Sequence, residues 1–101
     1  MTSDEAIGFA QRLARERRTG EALDVLESAL LDDPENSRIA KECARLSLEI
    51  NELRAFTNWC HEALRIDPRD PEPHEMMSAV LRRIGRVEEA EHEARLAAGL
   101  R

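Results

Sequence analysis

Three histidines are the side chains in this chain that could most readily bind a metal ion. His92 follows Glu89 by three residues, the spacing that brings a carboxylate and an imidazole together in carboxylate-rich metal sites of helical bundles. Such a site needs a second copy of the pair, and neither His61 nor His74 has a glutamate three positions before it. We therefore predict no metal and no cofactor, and we interpret the histidines as side chains on solvated helix faces.

The two cysteines, Cys43 and Cys60, could carry redox chemistry if they faced each other on paired helices. Their spacing matches no common zinc pattern, and two cysteines are too few for a disulfide framework. Cysteine also serves as a small apolar core residue, which is the interpretation we favour. No glycine-rich phosphate loop or nucleophile elbow is present. The sequence therefore predicts a protein that is not an enzyme.

The charge balance excludes several other classes of protein. The chain of 101 residues carries a formal net charge of −6, whereas a general nucleic-acid binder needs a basic surface. No apolar run approaches the roughly 20 residues of a membrane span, so we predict no membrane insertion. Asp4 and Glu5 stand where a signal peptide would be positively charged. We expect a cytoplasmic protein.

A repeated phrase indicates how the chain is organised. The segment ALLDDP at residues 29–34 returns as ALRIDP at residues 63–68, which is 34 positions later. Gly85, Ala90 and Ala97 are small residues where a third copy would need them. Self-similarity at this period is typical of stacked helix pairs. We predict an all-α fold, with residues 1–101 forming one domain of three antiparallel helix pairs.

Apolar residues recur at helical spacing in six stretches that short turns separate. No strand pattern is present. The predicted helices span about residues 3–16, 20–32, 37–49, 52–66, 71–83 and 86–98. The predicted start signals are a capping box of Thr2 and Glu5, then Thr19, Asn36 or Ser37, Asn51, and Asp70 followed by Pro71.

With Pro34 and Pro68 near the ends of two units, the chain resembles the tetratricopeptide repeat (TPR) family over nearly its whole length. The repeats are then residues 3–36, 37–70 and 71–101. The third unit fits best, with Ser78, Gly85, Ala90 and Ala97 at the family's small positions. The second unit departs from the pattern, because Asn51 replaces the turn glycine and Phe56 stands where a small alanine is usual.

The resemblance implies a right-handed superhelical α-solenoid, whose concave groove is lined by the first helix of each unit and binds extended or helical peptides. Protein–protein recognition without catalysis is the implied function. The groove residues that carry over are Gln11, Arg15, Arg38, Lys41, Arg45, Leu48, Ala79, Arg82 and Arg83. Asp4, Ile7, Ala14, Glu49, Glu72 and Glu75 complete the set.

Three of these groove residues share one helical face, since Arg38, Lys41 and Arg45 have i, i+3 and i+7 spacing. Our hypothesis is that they hold a ligand that bears carboxylates through charge-assisted hydrogen bonds. The alternative is that they form an ordinary solvated charged face.

One known activity of the family does not transfer to this chain. TPR co-chaperones grip the acidic tails of heat-shock proteins with a clamp of Lys, Asn, Asn, Lys and Arg. The matching positions here are Ile7, Gln11, Glu42, Glu72 and Met76, and none of them has the required residue.

The last predicted helix ends in a weakly apolar strip formed by Ala94, Ala98 and Leu100. We expect this strip to be a surface for self-association, which makes a homo-oligomer the first alternative: a self-associating assembly or scaffold factor. A TPR domain that serves a larger enzyme system is the other alternative to a small adaptor.

Overall fold

The protein consists of six α-helices and contains no strand, in a computed structural model that describes all of residues 1–101. The molecule is elongated, with extents of 40 × 26 × 17 Å. The helices are α1 (Ser3–Arg15), α2 (Thr19–Asp32), α3 (Ser37–Glu49), α4 (Leu53–Ile66), α5 (Glu72–Arg83) and α6 (Val87–Gly99).

Consecutive helices pack as pairs, and the pairs stack in chain order. The most extensive contacts lie within α1–α2, α3–α4 and α5–α6, and the stack continues through α2 against α3 and α4 against α5. This confirms the all-α solenoid of three helix pairs. The unit boundaries at residues 3–36, 37–70 and 71–101 stay a prediction, because a boundary in a continuous stack is a convention of register.

The turn inside each pair has the same backbone conformation in all three pairs. Arg17, Asn51 and Gly85 are spaced by 34 positions, and their φ angles are 62°, 61° and 85°. The next residue donates its backbone N–H to the carbonyl oxygen five positions earlier, at 2.8, 2.8 and 2.9 Å. This is the Schellman arrangement that satisfies the last carbonyl groups of a helix.

The same turns correct two of the predicted helix starts. Thr19 is not the N-cap of α2 but a buried residue of its first turn, and Arg18 is the N-cap. Asn51 is the left-handed turn residue, and α4 starts after Glu52. Neither Arg18 nor Glu52 makes a side-chain capping bond, and each donates its backbone N–H to the preceding helix in the Schellman arrangement.

Side chains define the starts of α1 and α3, as the sequence suggested. Thr2 Oγ1 accepts from the Glu5 backbone N–H at 3.1 Å, which confirms the capping box. Asn36, rather than Ser37, caps α3 and accepts from the N–H groups of Arg38 and Ile39. At the final end, Gly99 is the last residue of α6 and Leu100 is its C-cap.

The core forms two clusters that repeat the same positions with different side chains. In the first cluster, Ala22 and Leu26 of α2 are fully buried. Their counterparts 34 positions later in the second cluster are Phe56 and Cys60. The larger residue of the two is thus the second one in the first cluster, Leu26, and the first one in the second cluster, Phe56. Both interiors stay filled, although the bulky side chain lies one helical turn earlier in the second cluster. Trp59 of α4 packs against both clusters and joins them.

Candidate functional site

Most of the predicted groove residues line one of three clefts. Gln11, Arg15 and Arg45 lie together in a cleft of about 440 Å³ between α1 and α3. We call it the α1–α3 cleft, and its other lining residues are Ala14, Glu42, Leu46 and Glu49. Leu48 and Arg83 line a separate cleft of about 240 Å³ at the turn edge of the second and third pairs.

A third cleft is lined both by residues predicted for the groove and by residues predicted for self-association. Ala79 and Arg82, predicted for the groove, line a cleft of about 380 Å³ together with Ala94 and Ala98, predicted for self-association. We call it the C-terminal cleft. Leu100 is half-buried and lies outside that cleft.

The basic residues of α3 already have carboxylate partners within the chain. The Arg38 guanidinium lies 2.7 Å from Asp4 Oδ1. Arg45 pairs with Glu42 at 2.7 Å and also with Glu72. The hypothesis that Arg38, Lys41 and Arg45 hold a ligand with carboxylates stays a prediction, and such a ligand would compete with the internal carboxylates that each of them already contacts.

Lys41 is the most enclosed of these cations. Its Nζ lies 2.9 Å from Asp70 Oδ2 and 3.4 Å from Glu72 Oε2. Burial by itself would lower the pKa of Lys41, but the two carboxylates outweigh it and raise the pKa above its usual value. Burial likewise opposes ionisation of Asp70, yet the Lys41 ammonium and the Glu72 backbone N–H lower the pKa of Asp70.

Sequence reasoning missed this network because its acids lie far along the chain from its cations. Asp70 belongs to the turn before α5 and Glu72 is the first residue of α5, and only the stacking of the third pair brings them to α3. Among the predicted groove residues, the exposed cations that make no ion pair are Arg15, Arg82 and Arg83, which lie at the two ends of the set.

One histidine differs from the predicted solvated state. His74 Nδ1 lies 2.6 Å from Glu93 Oε2, and both side chains are less than one-fifth exposed. His61 and His92 are exposed, as expected, and Glu89 pairs with Arg86 at 2.7 Å. No three side chains among the histidines, cysteines and acids lie close enough together to hold a metal ion.

The two cysteines are buried free thiols that belong to different core clusters, Cys43 to the first and Cys60 to the second. Burial raises the pKa of each thiol to about 12, with a smaller contribution from nearby carboxylates. A thiol in this state is a poor nucleophile and metal ligand. Their environment fits the interpretation of both residues as core fillers.

A further cleft contains none of the predicted site residues. It has a volume of about 470 Å³ and lies between α4, α5 and α6. We call it the α4–α6 cleft. Its apolar residues are Leu53, Phe56, Met77, Val80, Leu81 and Ile84. The only sequence signal for it is the unusual Phe56.

No helix of the protein combines the length and the apolar character needed to cross a membrane.

Comparison with known structures shows the same fold in proteins of low sequence identity. The second TPR of Spaghetti (RPAP3), solved with the HSP90 peptide SRMEEVD, is 14% identical with a TM-score of 0.82, and the alignment covers 100% of this chain and 94% of that one. The Yersinia enterocolitica type III secretion translocator chaperone SycD is 17% identical with a TM-score of 0.86, over 97% and 74% of the two chains.

MamA from Desulfovibrio magneticus RS-1 is also 17% identical, with a TM-score of 0.81 over 94% of this chain. This chain spans only 54% of that MamA chain. No curated protein sequence matches this chain. At these identities the likeness concerns the fold alone.

The sequence itself carries the family assignment. A profile of the tetratricopeptide repeat matches residues 13–80, from the end of α1 through most of α5. This range includes two of the three Schellman turns and most of both core clusters. On this match, together with six helices stacked in pairs, the chain belongs to the tetratricopeptide repeat family.

Proposed function

We propose that this protein is a non-catalytic interaction module that binds a segment of another protein across the first helices of its pairs. The observation that carries this proposal is the α1–α3 cleft, where Gln11 and the unpaired Arg15 border open space. Five of the seven residues that line this cleft are polar or charged, and such groups at fixed places can orient a bound chain.

The charges in the structure refine which kind of segment we propose. Carboxylates of the ligand would pair with Arg15 at one end and with Arg82 or Arg83 at the other, because the cations between them already have internal partners. Arginine suits this role since its fork of N–H donors matches a carboxylate. We therefore propose an acidic segment held at its two ends.

Two related folds support an acidic peptide as the ligand class, since the first and second TPRs of Spaghetti were solved with the peptide SRMEEVD. The clamp positions nevertheless differ here. Ile7 is buried in the core and Glu72 is occupied by Lys41 and Arg45. The proposed ligand is thus an acidic segment that is recognised without that clamp.

Affinity capture with paired charge reversals tests the proposal. The test variant is Arg15→Glu/Arg82→Glu, and the matched control is Arg69→Glu/Arg95→Glu, which changes the net charge equally at exposed arginines outside the first helices. We expect a partner that the wild type and the control retain and the test variant loses, with affinity that falls as salt rises. Equal retention by both variants would refute binding at these arginines.

A second copy of the chain is the second candidate partner. The observation in its favour is that Ala94 and Ala98 line an open cleft on a face of α6, and no other helix of the chain covers that face. Light scattering across a concentration series tests it, with Ala94→Glu/Ala98→Glu as the disrupting variant. A monomer mass at every concentration would refute self-association.

A further inference from the structure

We propose that the α4–α6 cleft binds an indole or phenol side chain from a partner protein. This site goes beyond the function proposed above, because the α4–α6 cleft and the α1–α3 cleft share no lining residue. Its occupant can be inferred from the repeat itself, since the chain fills the corresponding place one unit earlier with a side chain of its own.

That side chain is Trp59. It lies on the second helix of the second pair and packs against the first core cluster. The residue 34 positions later is Glu93 on α6, and Glu93 lines the α4–α6 cleft. Leu23, which packs on the first cluster, likewise corresponds to Thr57, which lines the cleft. The indole of Trp59 thus fills the space between the first and second helix pairs, whereas the equivalent space between the second and third pairs is open.

The size and lining of the cleft suit an aromatic ring. Its volume of about 470 Å³ falls within the roughly 300–1,000 Å³ range of ligand pockets. Phe56, Met77 and Val80, which are buried members of the second core cluster, form its apolar interior. Aromatic side chains gain most from such a place, because each buries about 150–250 Å² of surface, and methionine adds favourable sulfur–aromatic contacts.

Polar groups in the cleft favour a ring that carries a donor. Glu93 Oε2 is paired with His74, whereas Glu93 Oε1 makes no hydrogen bond in the structure. An indole N–H or phenol O–H can donate to this free oxygen, which a phenyl or aliphatic side chain cannot do. Arg54, an exposed lining residue without an ion-pair partner, would attract a carboxylate beside the ring.

Methyl NMR with a small probe tests the site directly. N-acetyltryptophanamide is titrated into protein labelled at its methionine methyl groups, with N-acetylleucinamide as the comparison probe. We expect a saturable shift of the Met77 methyl signal, no shift of Met1, and binding at least about tenfold weaker for the leucine probe. Absence of saturation, or equal binding of the two probes, would overturn the proposal.

Variants that fill the cleft supply the control. Glu93→Trp places in α6 the residue that the second pair has at this position, and we expect it to abolish the probe-induced shift. Glu88→Trp adds the same residue at an exposed position of α6 outside the cleft and should leave the shift intact. Thr57→Trp, which fills the cleft from α4, serves if Glu93→Trp does not fold. Persistence of the shift in a folded, filled variant would exclude this cleft.

Peptides test the partner chemistry. A peptide with tryptophan between two aspartates should bind more tightly than the same peptide with lysines, and Arg54→Glu should remove the difference. Equal affinity of the two peptides for the wild type would refute the role of Arg54 in selecting the partner.

Discussion

Lys41 Nζ lies 2.9 Å from Asp70 Oδ2, and the two side chains are only 15% and 14% exposed. The pair connects the middle of α3 to the turn that precedes α5, so it fastens the third helix pair to the second. Asp70 Oδ1 also accepts from the backbone N–H of Glu72 at 3.0 Å, at the start of α5. One carboxylate thus holds a long-range ion pair and a helix start together.

Replacing Asp70 with Asn should destabilise the protein. The change removes the nearer carboxylate charge and leaves the enclosed Lys41 ammonium with only the longer ion pair to Glu72, and leaving such a group poorly paired costs about 1–3 kcal/mol. Urea unfolding at neutral pH measures the loss. Arg38→Gln, which breaks the exposed pair with Asp4, is the control, and it should cost less than about 1 kcal/mol.

The effect of Asp70→Asn should depend on pH in a defined way. The pKa of Asp70 lies below its usual value of 3.8 in the folded protein, so its contribution is complete above that value and is lost as pH falls through the folded pKa. The contribution of Lys41, whose pKa is raised above 10.5, is instead lost only as pH rises through its folded pKa. We expect the difference between wild type and variant to stay constant from about pH 5 to 9 and to shrink in acid. A constant difference down to pH 2 would contradict the assignment.

Glycine in place of Arg17, the left-handed turn residue of the first pair, should stabilise the protein. Arg17 has a φ of 62°, a conformation that costs a residue with a Cβ about 1–2 kcal/mol. Glycine removes this cost but also increases the conformational entropy of the unfolded chain, which offsets part of the stabilisation. We expect Arg17→Gly to raise the free energy of unfolding by about 0.5–1 kcal/mol. The measurement is the urea midpoint with an unchanged slope.

Substitution of the other turn residues provides the controls. Asn51→Gly should gain less than Arg17→Gly, because asparagine tolerates the left-handed region better than arginine does. Gly85→Ala should lose stability because φ at Gly85 is 85°, and the loss comes from the backbone conformation alone, since an added Cβ would meet no atom within 4 Å. Equal effects of both glycine substitutions would show that asparagine has no advantage over arginine in this conformation, and no gain from either would show that the positive φ carries no cost here.

Both cysteines should be unreactive in the folded protein. Burial raises their thiol pKa values to about 12, so almost no thiolate exists at pH 8, and the core excludes the reagent. We expect a thiol reagent at pH 8 to label neither cysteine without denaturant and to label both in urea. Mass spectrometry of the protein counts the labels. Rapid labelling of either cysteine under native conditions would contradict the buried environment.

Particular residues show what the sequence could and could not predict. The period between the two ALxxDP phrases predicts the pairs because each unit buries the same positions. It misplaces the starts of α2 and α4, because Arg17 and Asn51 adopt a conformation for which glycine is the usual signal. It also misses the pairing of Lys41 with Asp70, since charge compensation between units depends on how the pairs stack.

The exchange of large and small side chains between the two core clusters gives the sharpest test of packing. Phe56 is 1% exposed and is the largest fully buried side chain, so Phe56→Ala should cost about 3–5 kcal/mol, although alanine is the residue usual in the family at this position. Cys60→Leu alone should cost about 1–3 kcal/mol by overpacking. The double variant recreates the Ala22 and Leu26 arrangement of the first cluster.

The double variant should therefore be more stable than the sum of the single changes predicts. Phe56 and Cys60 lie one turn apart on α4 in the same cluster, and residues that share a space in a core show coupling of about 0.5–3 kcal/mol. Urea unfolding of the wild type, both single variants and the double variant completes the cycle. If the two single changes add within about 0.5 kcal/mol, the side chains at positions 56 and 60 do not compensate for each other in filling the second cluster.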